Sequence, residues 1–390
     1  MTASPDLRAR FSGLSDGWVR LDGPAGTLPV DSCVDAIADY MRSPAPANLG
    51  GSFEASHASD AVVARARESV ARLVGAQPDE VVFGPSTTNL MFAFTRALSH
   101  QWEPGDRIVC TQLDHDSNVS PWLLAARDVG ATVELLEVDP VDGTLDVEPL
   151  KDLCADGRTR WVAINGASNL TGHVPDLARA TAIAHEAGAR ILVDGVARVP
   201  HLPTDVAAMG IDVLSTSPYK WYGPHAGCLI VRDGLLASVE PYRVRPADYV
   251  GPARWETGTP QIELLAGIRA AAEFMLETPL AEEAERETRL LALLQEGLHE
   301  VPGVTVHGPS VTPDRAPTVI FTVAGFSPAQ VDEFLAQRRI AVWHGDNYAC
   351  ELVDALGLRA TGGVVRAGIV RYTVDDDVHA LLAALRELTS

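Results

Sequence analysis

One lysine, Lys220, follows an apolar run and sits between small hydroxyl residues and a Gly-Pro turn in Asp212-Val-Leu-Ser-Thr-Ser-Pro-Tyr-Lys-Trp-Tyr-Gly-Pro-His-Ala-Gly227. A lysine amine becomes a useful nucleophile when its surroundings depress its pKa and fix its position; a strand end followed by a rigid turn does both. Lys220 is therefore the candidate for a Schiff base, with a solvated surface lysine as the ordinary alternative. Asp194 closes a second apolar run, Arg190-Ile-Leu-Val-Asp-Gly195, and is expected at a strand's carboxyl end, where ligands collect in open α/β sheets. A buried carboxylate needs a cationic partner to stay ionised. The protonated ring nitrogen of pyridoxal 5'-phosphate (PLP) is such a partner, and PLP enzymes combine that carboxylate with a lysine Schiff base. Alone, Asp194 reads as a helix cap or a metal ligand; with Lys220 later in the chain, the cofactor pair is the better reading.

Other segments place polar groups at expected turns. Ser86-Thr87-Thr88 lies between a strand and a helix beginning near Asn89, so the turn aims backbone N–H groups at an anion and equally suits an N-cap. His115 lies between two acids in Asp114-His-Asp116. No histidine at i+4 accompanies it, so no metal site is expected, and an imidazole titrating near neutrality suits proton transfer. Asn169 by itself is a turn asparagine. Arg366 falls in Val364-Val-Arg-Ala-Gly-Ile-Val370, where alternation puts its side chain on one face. Its planar fork suits a carboxylate, and a strand-edge salt bridge is the alternative.

The elements that must hold these groups are legible as apolar runs alternating with helical patterns. Strands are expected at Val81–Phe83, Arg107–Cys110, Val133–Leu136, Arg160–Ile164, Ile191–Val193, Asp212–Leu214 and Cys228–Val231, the pattern of a mostly parallel sheet with helices on both faces. Helical patterns follow over Ile262–Glu277 and Leu280–Val301. Strands are then expected at Pro317–Phe321 and Val364–Tyr372, and helices at Ala329–Gln337 and Asp376–Leu388. A chain of 390 residues with 46% hydrophobic content exceeds one ordinary domain. Its net charge of −21 and pI near 4.8 disfavour nucleic acid and anionic membranes as partners. A small-molecule substrate fits better. No apolar run reaches membrane-spanning length, and Met1-Thr-Ala-Ser-Pro-Asp lacks the regions of a signal peptide, so a cytoplasmic protein is expected. Cys33, Cys110, Cys154, Cys228 and Cys350 are scattered without C-x-x-C pairs, which argues against disulfides and structural zinc. No G-x-G-x-x-G follows the first strand, which weakens a nucleotide-binding dehydrogenase.

In order and spacing, Leu21-Asp-Gly-Pro-Ala-Gly-Thr27, Phe83-Gly-Pro-Ser-Thr-Thr-Asn89, Leu113-Asp-His-Asp-Ser-Asn-Val-Ser-Pro-Trp122, Ser168-Asn169, Val193-Asp-Gly195, Ser217-Pro-Tyr-Lys220 and Trp255-Glu-Thr-Gly-Thr-Pro260 resemble the class V aminotransferase and cysteine desulfurase group of fold-type I PLP enzymes. The resemblance spans nearly the whole chain. It implies an α/β fold with a large PLP-binding domain (46–275) built on a mostly parallel seven-stranded sheet, a smaller α+β C-terminal domain (276–390), and an N-terminal segment (1–45) packed with the small domain. It implies that the Ser86–Thr88 turn, Ser217 and Tyr219 cradle the phosphate, with Thr259 reaching it from the second subunit of a homodimer. His115 then stacks on the pyridine ring, Asn169 meets the phenolic oxygen, Asp194 holds the ring nitrogen and Arg366 clamps the substrate's α-carboxylate. Asn48 and Tyr348 complete the substrate side.

Two departures bear on the reaction. Cysteine desulfurases carry a nucleophilic cysteine on a small-domain loop; here Ile340-Ala-Val-Trp-His-Gly-Asp-Asn-Tyr-Ala-Cys350 puts Tyr348 at that position and Cys350 two residues later, opening a helix over Glu351–Leu356. The group also has a Gln or His three residues after the aspartate, where this chain has Ala197. The expected enzyme therefore keeps the PLP electron sink and gives up sulfur relay. β-Elimination from a cysteine S-conjugate, a C–S lyase reaction in specialised metabolism such as antibiotic biosynthesis, is the leading expectation. Cysteine desulfuration, transamination, epimerisation, decarboxylation-coupled deamination and a non-catalytic PLP-fold binding protein stay as alternatives.

Overall fold

The computed structural model describes residues 5–232, 234–247 and 249–390. Its central sheet has seven strands in the order Val81–Gly84, Gly227–Val231, Val213–Thr216, Arg190–Asp194, Thr159–Asn165, Arg107–Thr111 and Thr132–Leu136. All neighbours run parallel except Gly227–Val231, which is antiparallel to both of its own. The α/β architecture expected from the sequence is thus present, and strand alternation explains its two-sided cover. Val109, Val162, Ile164, Ile191, Val193 and Leu214 belong to one buried cluster, while Ile108, Cys110, Trp161, Ala163, Leu192 and Val213 belong to another. Successive side chains point to opposite faces, so a continuous apolar strand feeds both cores.

Helices Asp31–Arg42 and Glu54–Val74 pack against Ile262–Glu277. A Cβ on Gly267 would lie 2.7 Å from Ile37 Cδ1, so glycine permits that close crossing. A second, antiparallel sheet has the order Trp343–Gly345, Val364–Gly368, Thr318–Val323 and Val304–His307. Leu290, Leu294, Val319, Phe321, Val365 and Leu381 fill its own core, and Leu21 joins them. The N-terminal segment serves both bodies: Val19–Arg20 pairs in parallel with Ile340–Ala341, while Asp31–Arg42 lies on the large-sheet side.

The strand expected over Val364–Tyr372 ends at Gly368. There the chain meets Pro24, whose Cγ would lie 2.2 Å from a Cβ on Gly368. Beyond it Thr373 closes a turn: its N–H donates to the Val370 carbonyl at 2.9 Å and its Oγ1 accepts the Val370 N–H at 3.0 Å. Among the described residues, no helix is long and apolar enough to cross a membrane.

Candidate active site

Three adjacent strands end in a row of polar residues: Asn165 is paired with Asp194, and Asp194 with Ser215. Asp194 is 4% exposed. One of its oxygens, Oδ1, accepts the Val196 N–H at 3.0 Å and the Ser215 hydroxyl at 3.2 Å. Burial raises its pKa, against those hydrogen bonds and the charge of Lys220. This carboxylate is therefore prepared for a further positive charge.

Lys220 ends the short 3₁₀ turn Pro218–Lys220 that follows Val213–Thr216. Its Nζ donates to the Pro24 carbonyl. Its pKa falls to about 7, first because the amine is desolvated and then because Arg366 is cationic, with Asp194 opposing. Tyr219 stacks on His225, with centroids 4.9 Å apart and planes 15° from parallel.

The turn at Ser86 fits an anion for reasons of local geometry. The helix Thr87–Leu98 begins two residues before the expected Asn89, because Ser86 Oγ accepts the Asn89 N–H at 3.1 Å as its N-cap. That leaves the first-turn N–H groups of Thr87 and Thr88 outside the helical ladder. Thr87 Oγ1 donates to the Thr216 carbonyl at 2.9 Å and lies 2.7 Å from Ser217 Oγ. A Cβ on Gly227 would stand 2.3 Å from the Ser86 carbonyl carbon and the Thr87 nitrogen, so only glycine lets the turn settle against this strand.

His115 caps the turn Asp116–Asn118. Its Nδ1 accepts the Ser117 N–H at 3.1 Å and meets Ser117 Oγ at 2.8 Å, which places the neutral ring's proton on Nε2. Burial, then the charges of Lys220 and Arg366, lower its pKa to about 4. Beneath it Asp114 accepts from Thr111 Oγ1 at 2.6 Å and from Asn118 Nδ2 at 2.8 Å; burial pushes its pKa up to about 8.

From the second sheet, Arg366 donates through Nη1 to the Asn169 carbonyl at 2.9 Å. It is 5% exposed, burial lowers its pKa to about 10, and its buried Nε has no partner. Among the described residues no carboxylate lies within ion-pair distance of Arg366. Asn169 Nδ2 donates to the Asn347 carbonyl at 2.8 Å, and its buried Oδ1 is unpartnered. Tyr348 stacks on His115 at 5.3 Å and 28°, and its carbonyl accepts the Asp116 N–H at 2.7 Å. Asn347 and Tyr348 both have positive φ, 52° and 59°.

One cavity thus gathers Ser86, Thr87, Thr88, His115, Asn169, Asp194, Ala197, Ser217, Tyr219 and Lys220. Arg366 and Tyr348 adjoin it through Asn169 and His115. Two candidates lie elsewhere. Asn48 is exposed, its carbonyl accepting from Ser56 Oγ at 2.7 Å. Thr259 lines a separate depression with Asn89, Arg96, Tyr242 and Gln261, beside Glu256, which accepts from Phe83 N–H at 2.8 Å and Arg67 Nη2 at 2.6 Å. Sequence reasoning passed over Ser117, Asn165 and the Pro24 carbonyl. Asn165 carried a signal, as the last residue of an apolar strand run; Pro24 carried none, since a backbone carbonyl has no sequence signature.

The donor set matches PLP: orphan amides and hydroxyls for a phosphate, a buried carboxylate wanting a cation, a depressed lysine, and two unpartnered buried polar atoms on Asn169 and Arg366. The family model described as Aminotransferase class-V matches residues 19–381. The chain is 31% identical to an uncharacterized protein of Mycobacterium tuberculosis, over 98% of both chains. It is 30% identical to the cysteine desulfurase CsdA of Escherichia coli, over 97% of this chain and 96% of the relative. Among solved structures, that of Escherichia coli CsdA superposes with a TM-score of 0.88 at 29% identity, covering 99% of this chain and 98% of the other. The apo cysteine desulfurase of Thermococcus onnurineus gives 0.93 at 27% identity, covering 100% and 98%.

Proposed function

We propose, on the premise that this chain belongs to the class-V aminotransferase family of PLP-dependent enzymes, that it cleaves the C–S bond of a cysteine S-conjugate by β-elimination, in specialised metabolism. When bound, PLP supplies an electron sink for the negative charge that develops at the substrate's Cα. In this reading the residues around it have separate tasks. The amides of Thr87 and Thr88 and the hydroxyl of Ser217 hold the phosphate, while the Thr87 hydroxyl, donating to the Thr216 carbonyl, fixes the turn. Asp194 holds the ring-nitrogen proton, and His115 covers the ring as a neutral imidazole. Arg366 receives the substrate carboxylate on its free Nε edge, fixing which Cα bond faces Lys220. Lys220 Nζ, with a pKa near 7, takes the Cα proton at neutral pH.

The observation that carries the choice of elimination over sulfur relay is the loop Gly345–Ala349. Tyr348 occupies the place facing His115, whereas Cys350 turns its Sγ onto Asp346 Oδ2 at 3.6 Å. Burial and then the Asp346 charge raise the Cys350 pKa, which suppresses the thiolate that sulfur transfer needs. Cysteine desulfuration is the second reading, favoured by the activity named for the relatives.

Product analysis separates the two. Elimination, with one water consumed in hydrolysing the released enamine, converts the conjugate into a thiol, pyruvate and ammonia, whereas desulfuration of cysteine transfers its sulfur to an acceptor thiol, leaving alanine and a persulfide. Pyruvate and free thiol from bulky S-conjugates are the expected products; alanine as the sole carbon product would overturn elimination. Correspondingly, Cys350→Ser is expected to keep kcat/KM within about threefold, since replacing a packed thiol by a near-isostere is tolerated at modest cost. A folded, PLP-loaded but inactive Cys350→Ser protein would establish the desulfurase reading.

Thr259 is assigned to the neighbouring subunit's phosphate across a homodimer interface. Its depression borders the outer side of the Gly84–Asn89 turn and is flanked by Phe92 and Tyr242, which are 39% and 49% exposed. Thr259→Val is expected to weaken PLP retention roughly tenfold, one charge-assisted hydrogen bond, without altering the products. Full activity in a stable monomer, measured by sedimentation and assay together, would remove this assignment.

A further inference from the structure

The turn that carries Lys220 is held from outside by a segment nearly two hundred residues earlier in the chain. Thr27 donates twice to the Tyr219 carbonyl, from its N–H at 2.9 Å and from its hydroxyl at 3.0 Å. The same Oγ1 accepts the Tyr222 N–H at 2.9 Å. One hydroxyl therefore ties the residue before Lys220 to the second residue after it. Tyr222 has a φ of 69°, a left-handed conformation that is costly for a bulky side chain and persists only where its surroundings over-determine it. Here they do: the Val30 N–H donates to the Tyr222 carbonyl at 3.0 Å, the Arg371 N–H donates to its hydroxyl at 2.9 Å, and Phe11 and Phe274 pack edge-on against its ring. The Thr27 segment also touches the amine directly, because the Pro24 carbonyl accepts from Lys220 Nζ.

We propose that Thr27 is a positioning residue for the reaction: its hydroxyl, by spanning Tyr219 and Tyr222, sets where the Lys220 amine stands relative to Pro24, Asp194 and Arg366. A hydroxyl in this place acts on geometry rather than on charge. The charged and titratable groups facing the amine come from four elements: Asp194 from the central sheet, Arg366 from the second sheet, His115 from the loop after Arg107–Thr111, and Tyr219 from the turn itself. A small displacement of Nζ changes its distances to all of them at once. This inference rests on the reading of Lys220 as the cofactor-bearing lysine.

The test compares holoenzyme variants Thr27→Val, which keeps the shape without the hydroxyl, and Thr27→Ser, which keeps the hydroxyl. For Thr27→Val, kcat is expected to fall roughly 10–100-fold, the effect of misplacing a reacting group by a fraction of an ångström to one ångström. KM should stay within about twofold, and the midpoint of the pH titration of the lysine-bound cofactor's visible absorbance should move by about one unit or more, since its two charged neighbours, Asp194 and Arg366, change distance together. Thr27→Ser should restore all three. Parental titration and kcat in Thr27→Val, or equal impairment in Thr27→Ser, would overturn the proposal. If Thr27→Val does not fold, Thr27→Ala, which adds no atoms, is held to the same comparison. Borohydride fixation and peptide mapping separate the two levels: label on Lys220 with a parental titration defeats the Thr27 role alone, whereas a parent enzyme unlabelled at Lys220 defeats the reading beneath it as well.

Discussion

Lys220→Ala is expected to abolish the visible absorbance of protein-linked cofactor, to leave no adduct after borohydride, and to lower turnover by at least about 10²–10⁴-fold, the range for losing a positioned acid–base group. The fold should survive. The strand Val213–Thr216 is anchored on both sides by Arg190–Asp194 and Gly227–Val231, and deleting a desolvated amine removes an unfavourable burial rather than a packing contact. The pH dependence of the parent follows from the same group. The amine loses its proton near pH 7 instead of near its ordinary 10.5, so the fraction able to accept a proton, and with it kcat, should rise as pH rises through about 7. Circular dichroism, absorbance and a pH–rate profile measure these outcomes. A reducible cofactor adduct persisting on another lysine of Lys220→Ala would remove the assignment.

Arg366→Lys should show a different defect. The substitution keeps a positive charge, so the cofactor should stay loaded and the ascending limb near pH 7 should hold. It loses the second arm of the fork, and with it one hydrogen bond to a charged group, worth about 1.5–3 kcal/mol. That corresponds to roughly a 10–100-fold fall in kcat/KM, carried mainly by KM. The parent arginine is poised for a carboxylate because its Nε edge is buried and unpartnered while Nη1 is fixed on the Asn169 carbonyl. Unchanged kinetics of Arg366→Lys on an amino-acid substrate would eliminate the clamp, and loss of PLP from this variant would recast Arg366 as a cofactor residue.

The sequence by itself determined the strands and several of the polar side chains that stand at their ends. Runs such as Ile191–Val193 and Trp161–Ile164 are apolar at every position, which a sheet covered on both faces accommodates; the rule that ligands gather at carboxyl ends pointed to Asp194, and the rigid turn after a strand end pointed to Lys220. The hydroxyl turn at Ser86 was legible because a cap has a local signature. Tertiary structure alone decided the rest. Arg366 meets Asn169 and Tyr348 meets His115 because the second sheet is laid against the end of the first, and no local periodicity encodes that approach. Pro24 lies against Gly368 where a Cβ would collide with it, and the partner of the Lys220 amine is a backbone carbonyl of that same distant segment. Such contacts depend on how separately folded layers meet. Their physical determinants, the room left by one missing Cβ and the direction of one unpaired carbonyl, exist only after the chain has closed on itself.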